Sequence, residues 1–178
     1  MKEKAEIAAI AARFVDEGDS IILDSGTTTT ELAKLLATYK NLTVITNSLD
    51  IAIILGENPG INVIVTGGEY RPQIVALMGE LAASTFKGVH VSKLFLATAG
   101  ISPDFQLTYP SFGDLTVKSA MIRSADHIYL LADSSKIGTT SFATLGRVSL
   151  VDTIITDSQL TPEQKEAFVK MNVEVVNE

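Results

Sequence analysis

The chain contains no cysteine and no tryptophan, and aromatic residues fill only 6% of its 178 positions. Without cysteine there is no disulfide, no thiol nucleophile and no thiolate metal ligand, a composition suited to a reducing compartment. Cations are scarce as well: 14 Lys and Arg stand against 21 Asp and Glu, a formal charge of −7. A face that grips nucleic acid needs clustered Lys and Arg to displace counterions from phosphates, so this polypeptide is not expected to hold DNA by itself. No apolar run approaches the roughly 20 residues of a membrane span. The opening Met1-Lys2-Glu3-Lys4 leads into an amphipathic helical pattern and not a signal peptide, so no membrane contact and a cytoplasmic location are expected.

What the chain does have is a hydrophobic fraction of 46%, supplied mostly by Ile, Leu, Val and Ala, as in strands buried on both faces. Ile7, Ile10, Ala11 and Phe14 recur at helical spacing until Gly18, so residues from about Glu3 to Asp16 read as a helix. Residues 1–17 therefore form a packing or connector segment and residues 18–178 one α/β domain. Strands are expected at Ser20–Leu23, Leu42–Ile45, Ile61–Val65, Lys93–Leu96, His127–Leu131, Thr153–Ile155 and Val173–Val176. Helices are expected at Thr28–Ala37, Leu49–Leu55, Met78–Phe86, Asp114–Ala125 and Pro162–Met171, the last opened by a capping box of Thr161 and Gln164 with Pro162 at its first position. Strand and helix alternating in this way build a mostly parallel sheet covered on both faces. The stretch Gly100 to Gly113 has no period and reads as a long loop.

Small polar residues collect directly after the strands. Asp24-Ser25-Gly26-Thr27-Thr28-Thr29-Thr30 follows the first, Thr46-Asn47-Ser48 the second, Thr66-Gly67-Gly68 the third and Asp133-Ser134-Ser135-Lys136 the fifth. In a parallel sheet these are all carboxyl ends of strands, where open α/β sheets bind ligands. In Asp24 to Thr30 a glycine admits close approach of an anion, hydroxyls donate, and a helix begins with unpaired N–H groups and the positive end of its dipole. Taken alone, Ser25 or Thr27 could simply cap that helix. Four consecutive threonines nevertheless cost helix propensity unless their hydroxyls have partners, which favours a phosphate cradle. Asn47-Ser48 can hold a sugar hydroxyl or cap a helix, and Gly67-Gly68 can serve a site or a turn, with Glu69 and Arg71 solvated. Lys118 shares a helical face with Leu115 and Ile122, and a lysine on an apolar stripe has a partner or a ligand. Lys136 offers a second point charge. In a chain of this net charge an anion depends on such placed cations and on the helix N-terminus. His90 and His127 lie far apart, and no cluster has metal-ligand spacing, so neither a metal nor another cofactor is expected. Acid–base chemistry by Asp24, Asp114 or Asp133 remains open.

The segments Gly18-Asp19-Ser20, Leu23-Asp24-Ser25-Gly26-Thr27-Thr28-Thr29, Val44-Ile45-Thr46-Asn47-Ser48, Thr66-Gly67-Gly68-Glu69-Tyr70-Arg71-Pro72, Gly100-Ile101-Ser102, Val117-Lys118-Ser119-Ala120-Met121 and Leu131-Ala132-Asp133-Ser134-Ser135-Lys136 together resemble the effector-binding domain of DeoR-type bacterial transcriptional regulators. The likeness runs in order from about Gly18 to Asp157. It implies a Rossmann-like fold related to ribose-5-phosphate isomerase, a phosphorylated sugar or sugar-derived effector that is bound and not turned over, and a homo-oligomer, dimer or tetramer. It further implies that DNA is bound only through an N-terminal winged helix-turn-helix domain, so the present chain is expected to be a fragment of a longer repressor. Carried over residue by residue, Ser25, Gly26, Thr27, Thr28 and Thr29 match the phosphate loop, and Asn47 with Ser48 match the second strand-end motif. Gly67, Gly68, Lys118 and Lys136 fall on positions lining the same cleft. Ala99-Gly100 departs from the Asp-Gly that such domains often carry, Gln106 precedes Leu107-Thr108 where Gly is common, and Asp114 stands where Glu is usual. The alternative is a sugar-phosphate isomerase of the same fold using Asp24 or Asp114 as base, against which Ala99 speaks.

Overall fold

A computed structural model describes residues 2–178. In chain order its first half comprises α1 (Lys2–Ala12), β1 (Ser20–Leu23), α2 (Thr27–Leu36), β2 (Leu42–Thr46), α3 (Leu49–Gly56), β3 (Ile61–Val65), β4 (Glu69–Arg71), β5 (Ala76–Met78), α4 (Glu80–Ser84) and β6 (Val91–Ala97). The second half comprises β7 (Gly100–Ile101), β8 (Gln106–Tyr109), α5 (Phe112–Arg123), β9 (Ala125–Leu131), β10 (Ala143–Arg147), β11 (Thr153–Ile155), α6 (Pro162–Lys170) and β12 (Glu174–Val176). Seven strands form one sheet in the order β12-β11-β9-β6-β1-β2-β3, every neighbouring pair parallel.

Side chains alternate across the strands, which divides the core in two. Ile21, Leu23 and Phe95 point to a layer filled by Ile7 of α1, Leu32 of α2 and Ile51 of α3. Ile22, Leu94 and Leu96 point the other way, onto Met121 of α5, Phe168 of α6 and the alanines of α4. Both faces are thus covered, as the continuous apolar runs require, and the fold is Rossmann-like. Among the described residues no helix is long and apolar enough to cross a membrane.

Two stretches differ from expectation. Met78 ends a short strand and does not begin a helix: Gly79 takes φ of 87° and starts α4, so Ala76 to Met78 pair antiparallel with β4 in a two-stranded ribbon. Gly100 to Gly113 is not a plain loop. It folds back on itself at Phe105, which has φ of 60°, so that β7 and β8 pair antiparallel, and β10 completes a small three-stranded sheet.

After β1 the chain moves through β2 to β3 on one side of the sheet. After β6 it moves through β9, β11 and β12 on the other. The order reverses between β1 and β6, and the helices that follow them leave to opposite faces, opening a crevice at their carboxyl ends.

Candidate functional site

One side of that crevice is the turn from β1 into α2. A Cβ on Gly26 would lie 2.7 Å from the Cβ of Ala97 at the end of β6, so only glycine lets the turn pass this close to the neighbouring strand. Gly26 is also the N-cap of α2 and offers no side chain to the first-turn N–H groups, which in any helix lack intrahelical partners. Its carbonyl accepts from the Thr29 and Thr30 hydroxyls at 2.8 Å each and from the Thr30 N–H at 2.9 Å. Two of the four threonines therefore spend their hydroxyls on their own helix. Thr27 and Thr28 stand at the opening, and Ser25, Gly26, Thr27 and Thr28 line the cavity there.

Asp24 lies beneath this turn with no solvent exposure. Its Oδ1 accepts from Lys118 Nζ at 2.9 Å and from the Ser25 N–H at 2.8 Å, and its Oδ2 accepts from the Ala97 N–H at 3.1 Å. Burial pushes the Asp24 carboxyl up from its ordinary value, opposed by the Lys118 charge and by these hydrogen bonds. Lys118 also sits over the Tyr109 ring, 5.1 Å from its centroid, and the Tyr109 hydroxyl donates to the Ala97 carbonyl at 2.8 Å. Burial, with the Asp24 carboxylate nearby, raises the Tyr109 phenol well above its ordinary value. The lysine expected to offer a charge to the ligand is thus already paired, and it locks β1, β6 and α5 together.

Asn47 is fully buried and braces the same turn. Its Oδ1 accepts from the Ser25 N–H at 3.0 Å, and its Nδ2 donates to Ser25 Oγ at 3.3 Å and to the Leu77 carbonyl at 3.2 Å. Ser48 caps α3, accepting from the Ile51 N–H at 3.3 Å. Gly67 and Gly68 turn the chain into β4, where Gly68 has φ of 131° and a Cβ would meet the Met78 carbonyl at 2.6 Å. Asp24, Thr29, Asn47, Ser48, Gly67 and Gly68 do not line the cavity.

That cavity, of about 440 Å³, is completed by residues that were not among the expected ligand contacts. Lys4 reaches it from α1, Arg71, Gln73 and Ile74 from the β4–β5 ribbon, and Thr98, Tyr109 and Ser111 from around the small sheet. Arg71 contacts Glu69 at 3.3 Å. Asp114 and Asp133 also line it, each with one carboxylate oxygen engaged: Asp114 Oδ2 accepts from the Ser111 hydroxyl at 2.6 Å, and Asp133 Oδ1 accepts from the Ser135 hydroxyl and from its N–H at 3.1 Å. Lys136, at the end of the turn that Asp133 caps, completes the wall. Among the described residues no group of three or more His, Cys, Asp or Glu could hold a metal ion. The arrangement can take an anion at the α2 N-terminus, with polar groups and an aromatic ring around whatever the anion is attached to.

Residues 1–158 match the family described as the DeoR C-terminal sensor domain. The chain belongs to this family. The sensor domain is 38% identical over 173 residues to the HTH-type transcriptional regulator YulB of Bacillus subtilis, covering 97% of this chain and 67% of that protein. It is 38% identical over 157 residues to the transcriptional repressor AccR of Agrobacterium fabrum, covering 88% and 61%. To the lactose phosphotransferase system repressor of Lactococcus lactis it is 33% identical over 169 residues, covering 94% and 66%. It thus spans about two thirds or less of the curated regulators it matches.

Among solved structures, the sensor domain resembles ribose-5-phosphate isomerase A of Methanocaldococcus jannaschii, with TM-score 0.54 and 16% identity over 75% of this chain and 53% of that one. It also resembles the eIF2B delta subunit of Chaetomium thermophilum, with TM-score 0.63 and 16% identity over 86% and 55%. These likenesses show the fold.

Proposed function

We propose that this domain senses a phosphorylated sugar or sugar-derived metabolite for a homo-oligomeric DeoR-type transcriptional repressor, whose DNA contacts are made by another part of the regulator. The carrying observation is the α2 N-terminus: its first-turn N–H groups have no side-chain cap, and it opens, with Ser25, Thr27 and Thr28, into the 440 Å³ cavity. The phosphate sits on these N–H groups, and the sugar lies between Tyr109, Thr98 and the β4–β5 ribbon. Relatives named as repressors, one of them of a lactose phosphotransferase system, support the regulatory reading. Binding without turnover is favoured because Asp24, the candidate base of an isomerase, is held beneath the cavity by Lys118 and two backbone N–H groups.

The test is isothermal calorimetry of the domain against pentose and hexose phosphates, with the unphosphorylated sugars alongside. Binding that requires the phosphate and weakens in Thr27→Val and Lys136→Ala supports the site. Equal binding of the free sugars, or variants that bind like the parent, overturns it, and turnover in an isomerase assay overturns the non-enzymatic reading.

A further inference from the structure

The four cations on the cavity wall are not equivalent. Lys118 is bound to Asp24 at 2.9 Å and Arg71 lies 3.3 Å from Glu69. Lys4 and Lys136 have no hydrogen-bond or ion-pair partner for their ammonium groups among the described residues. The two carboxylates on the wall, Asp114 and Asp133, each accept a hydroxyl hydrogen bond on one oxygen, from Ser111 and from Ser135, and neither is ion-paired to these lysines. The cations on the wall without a partner are therefore two lysines, and they belong to different parts of the molecule. Lys136 ends the helical turn that follows β9 and is capped by Asp133, whereas Lys4 stands in the first turn of α1.

α1 is attached to the body mainly by apolar contact, with hydrogen bonds at its C-terminal end, where the Tyr39 hydroxyl donates to the Ala12 and Val15 carbonyls at 3.4 and 3.1 Å and Arg13 donates to the Glu178 carbonyl at 2.9 Å. Ile7, Ala8, Ile10 and Ala11 are its buried residues and pack on α2 and the sheet. Such contact is non-directional and leaves the first turn without a fixed polar anchor through Lys4. An anion seated on the α2 N-terminus can supply that anchor, because Lys4 lines the same cavity as Gly26, Thr27 and Thr28.

Resting on the sugar-phosphate reading above, we infer that Lys4 is a ligand-binding residue through which occupancy of the cavity fixes the position of α1. Because the family is that of a C-terminal sensor domain matched over residues 1–158, α1 is the element of the match nearest in sequence to what precedes such a domain in a regulator. A ligand that binds one placement of α1 more tightly than another shifts the population of placements, and α1 in turn alters ligand affinity by the same factor. The signal then leaves the sensor domain through the helix that contributes a charge to its site.

The experiment combines calorimetry and hydrogen exchange on the 178-residue domain, with inorganic phosphate, ribose 5-phosphate and glucose 6-phosphate as probes. It compares the parent, Lys4→Ala, Lys4→Arg and, as a control for loss of one surface charge, Lys34→Ala. Expected is about tenfold weaker binding for Lys4→Ala, the loss of one charge-assisted contact, with Lys4→Arg and Lys34→Ala within about twofold of the parent. At saturation, ligand slows amide exchange across Lys2–Ala12 in the parent and in Lys4→Arg but not in Lys4→Ala, while the first turn of α2 is protected in all. Ligand that binds and protects α2 yet leaves α1 exchange and the Lys4→Ala affinity unchanged overturns this inference alone. Failure of all probes to bind overturns the sugar-phosphate reading together with it.

Discussion

Lys118 and Asp24 form an ion pair of 2.9 Å in which the lysine side chain is 3% and the aspartate side chain 0% exposed. Removing one member of such a pair strands a charge away from water, whereas removing both does not. Lys118→Met is therefore expected to lose about 3–5 kcal/mol of unfolding free energy, and Asp24→Asn a comparable part. The double variant should be more stable than the sum of the two losses implies. Denaturant melts of the four proteins measure this coupling; additive losses would show that the pair does not act as a unit.

Gly26 carries a steric demand. In Gly26→Ala the new methyl meets Ala97 Cβ at 2.7 Å and Thr29 Oγ1 at 3.3 Å, so the β1–α2 turn must move away from β6. Overpacking of this kind costs about 1–3 kcal/mol, and the displaced first turn of α2 should lose most of its anion affinity. A melting temperature and phosphate affinity equal to the parent's would contradict the close-approach argument.

Lys93 provides a pH signature. Its Nζ lies 2.6 Å from Asp19 Oδ2 and 3.3 Å from Asp16 Oδ2. Partial burial opposes its charge, but the bonds to Asp19 and Asp16 outweigh this and raise its pKa above the ordinary 10.5. A pKa raised on folding contributes stability that is fully present below 10.5 and is lost as pH rises through the native value. Lys93→Met should thus be less stable than the parent at neutral pH, by up to about 1 kcal/mol, with the gap closing in alkaline solution. A gap that stays constant as the pH is raised would assign the loss to packing.

Ligand should stabilise the fold by mass action. At a hundred times its dissociation constant a phosphorylated sugar adds about 2.7 kcal/mol, read as a rise in melting temperature. Asn47→Ala, which removes the brace on the Ser25 N–H and hydroxyl, should lower the melting temperature of the free protein and shrink this ligand-induced rise. An unchanged rise would show that Asn47 supports only the fold.

The parallel sheet was legible because its strands are continuous apolar runs of Ile, Val and Leu, flanked by residues that end them. β4, β5, β7, β8 and β10 were not. Like β11 and β12 they are short, two to five residues, but they lack a continuous run of Ile, Val and Leu, and each is fixed by a partner such as β10 for β8 that local sequence does not announce. In the site, Ser25, Gly26, Thr27 and Thr28 could be read because one strand end and one helix start supply them together. Lys118 was legible as a lysine needing a partner, but the partner, Asp24, lies 94 positions away, and the anticipated free charge is a bound one. Lys4 gave no signal, and Arg71 read as solvated although it lines the cavity. A lone cation on a helix or ribbon looks solvated until tertiary packing shows which cavity it borders.

The reversal of strand order between β1 and β6 bears on how the molecule assembles. The site is stitched from positions that are remote along the chain: Asp24 meets the Ala97 N–H across 73 residues and Lys118 across 94. Contacts of such range form late and at high cost in chain entropy. No local fragment can prefigure the cavity, because neither the β1 to β3 half nor the β6 to β12 half contains it. The cavity is consequently complete only when folding is, and a chain interrupted anywhere between Asp24 and Lys118 has no partial version of it to offer.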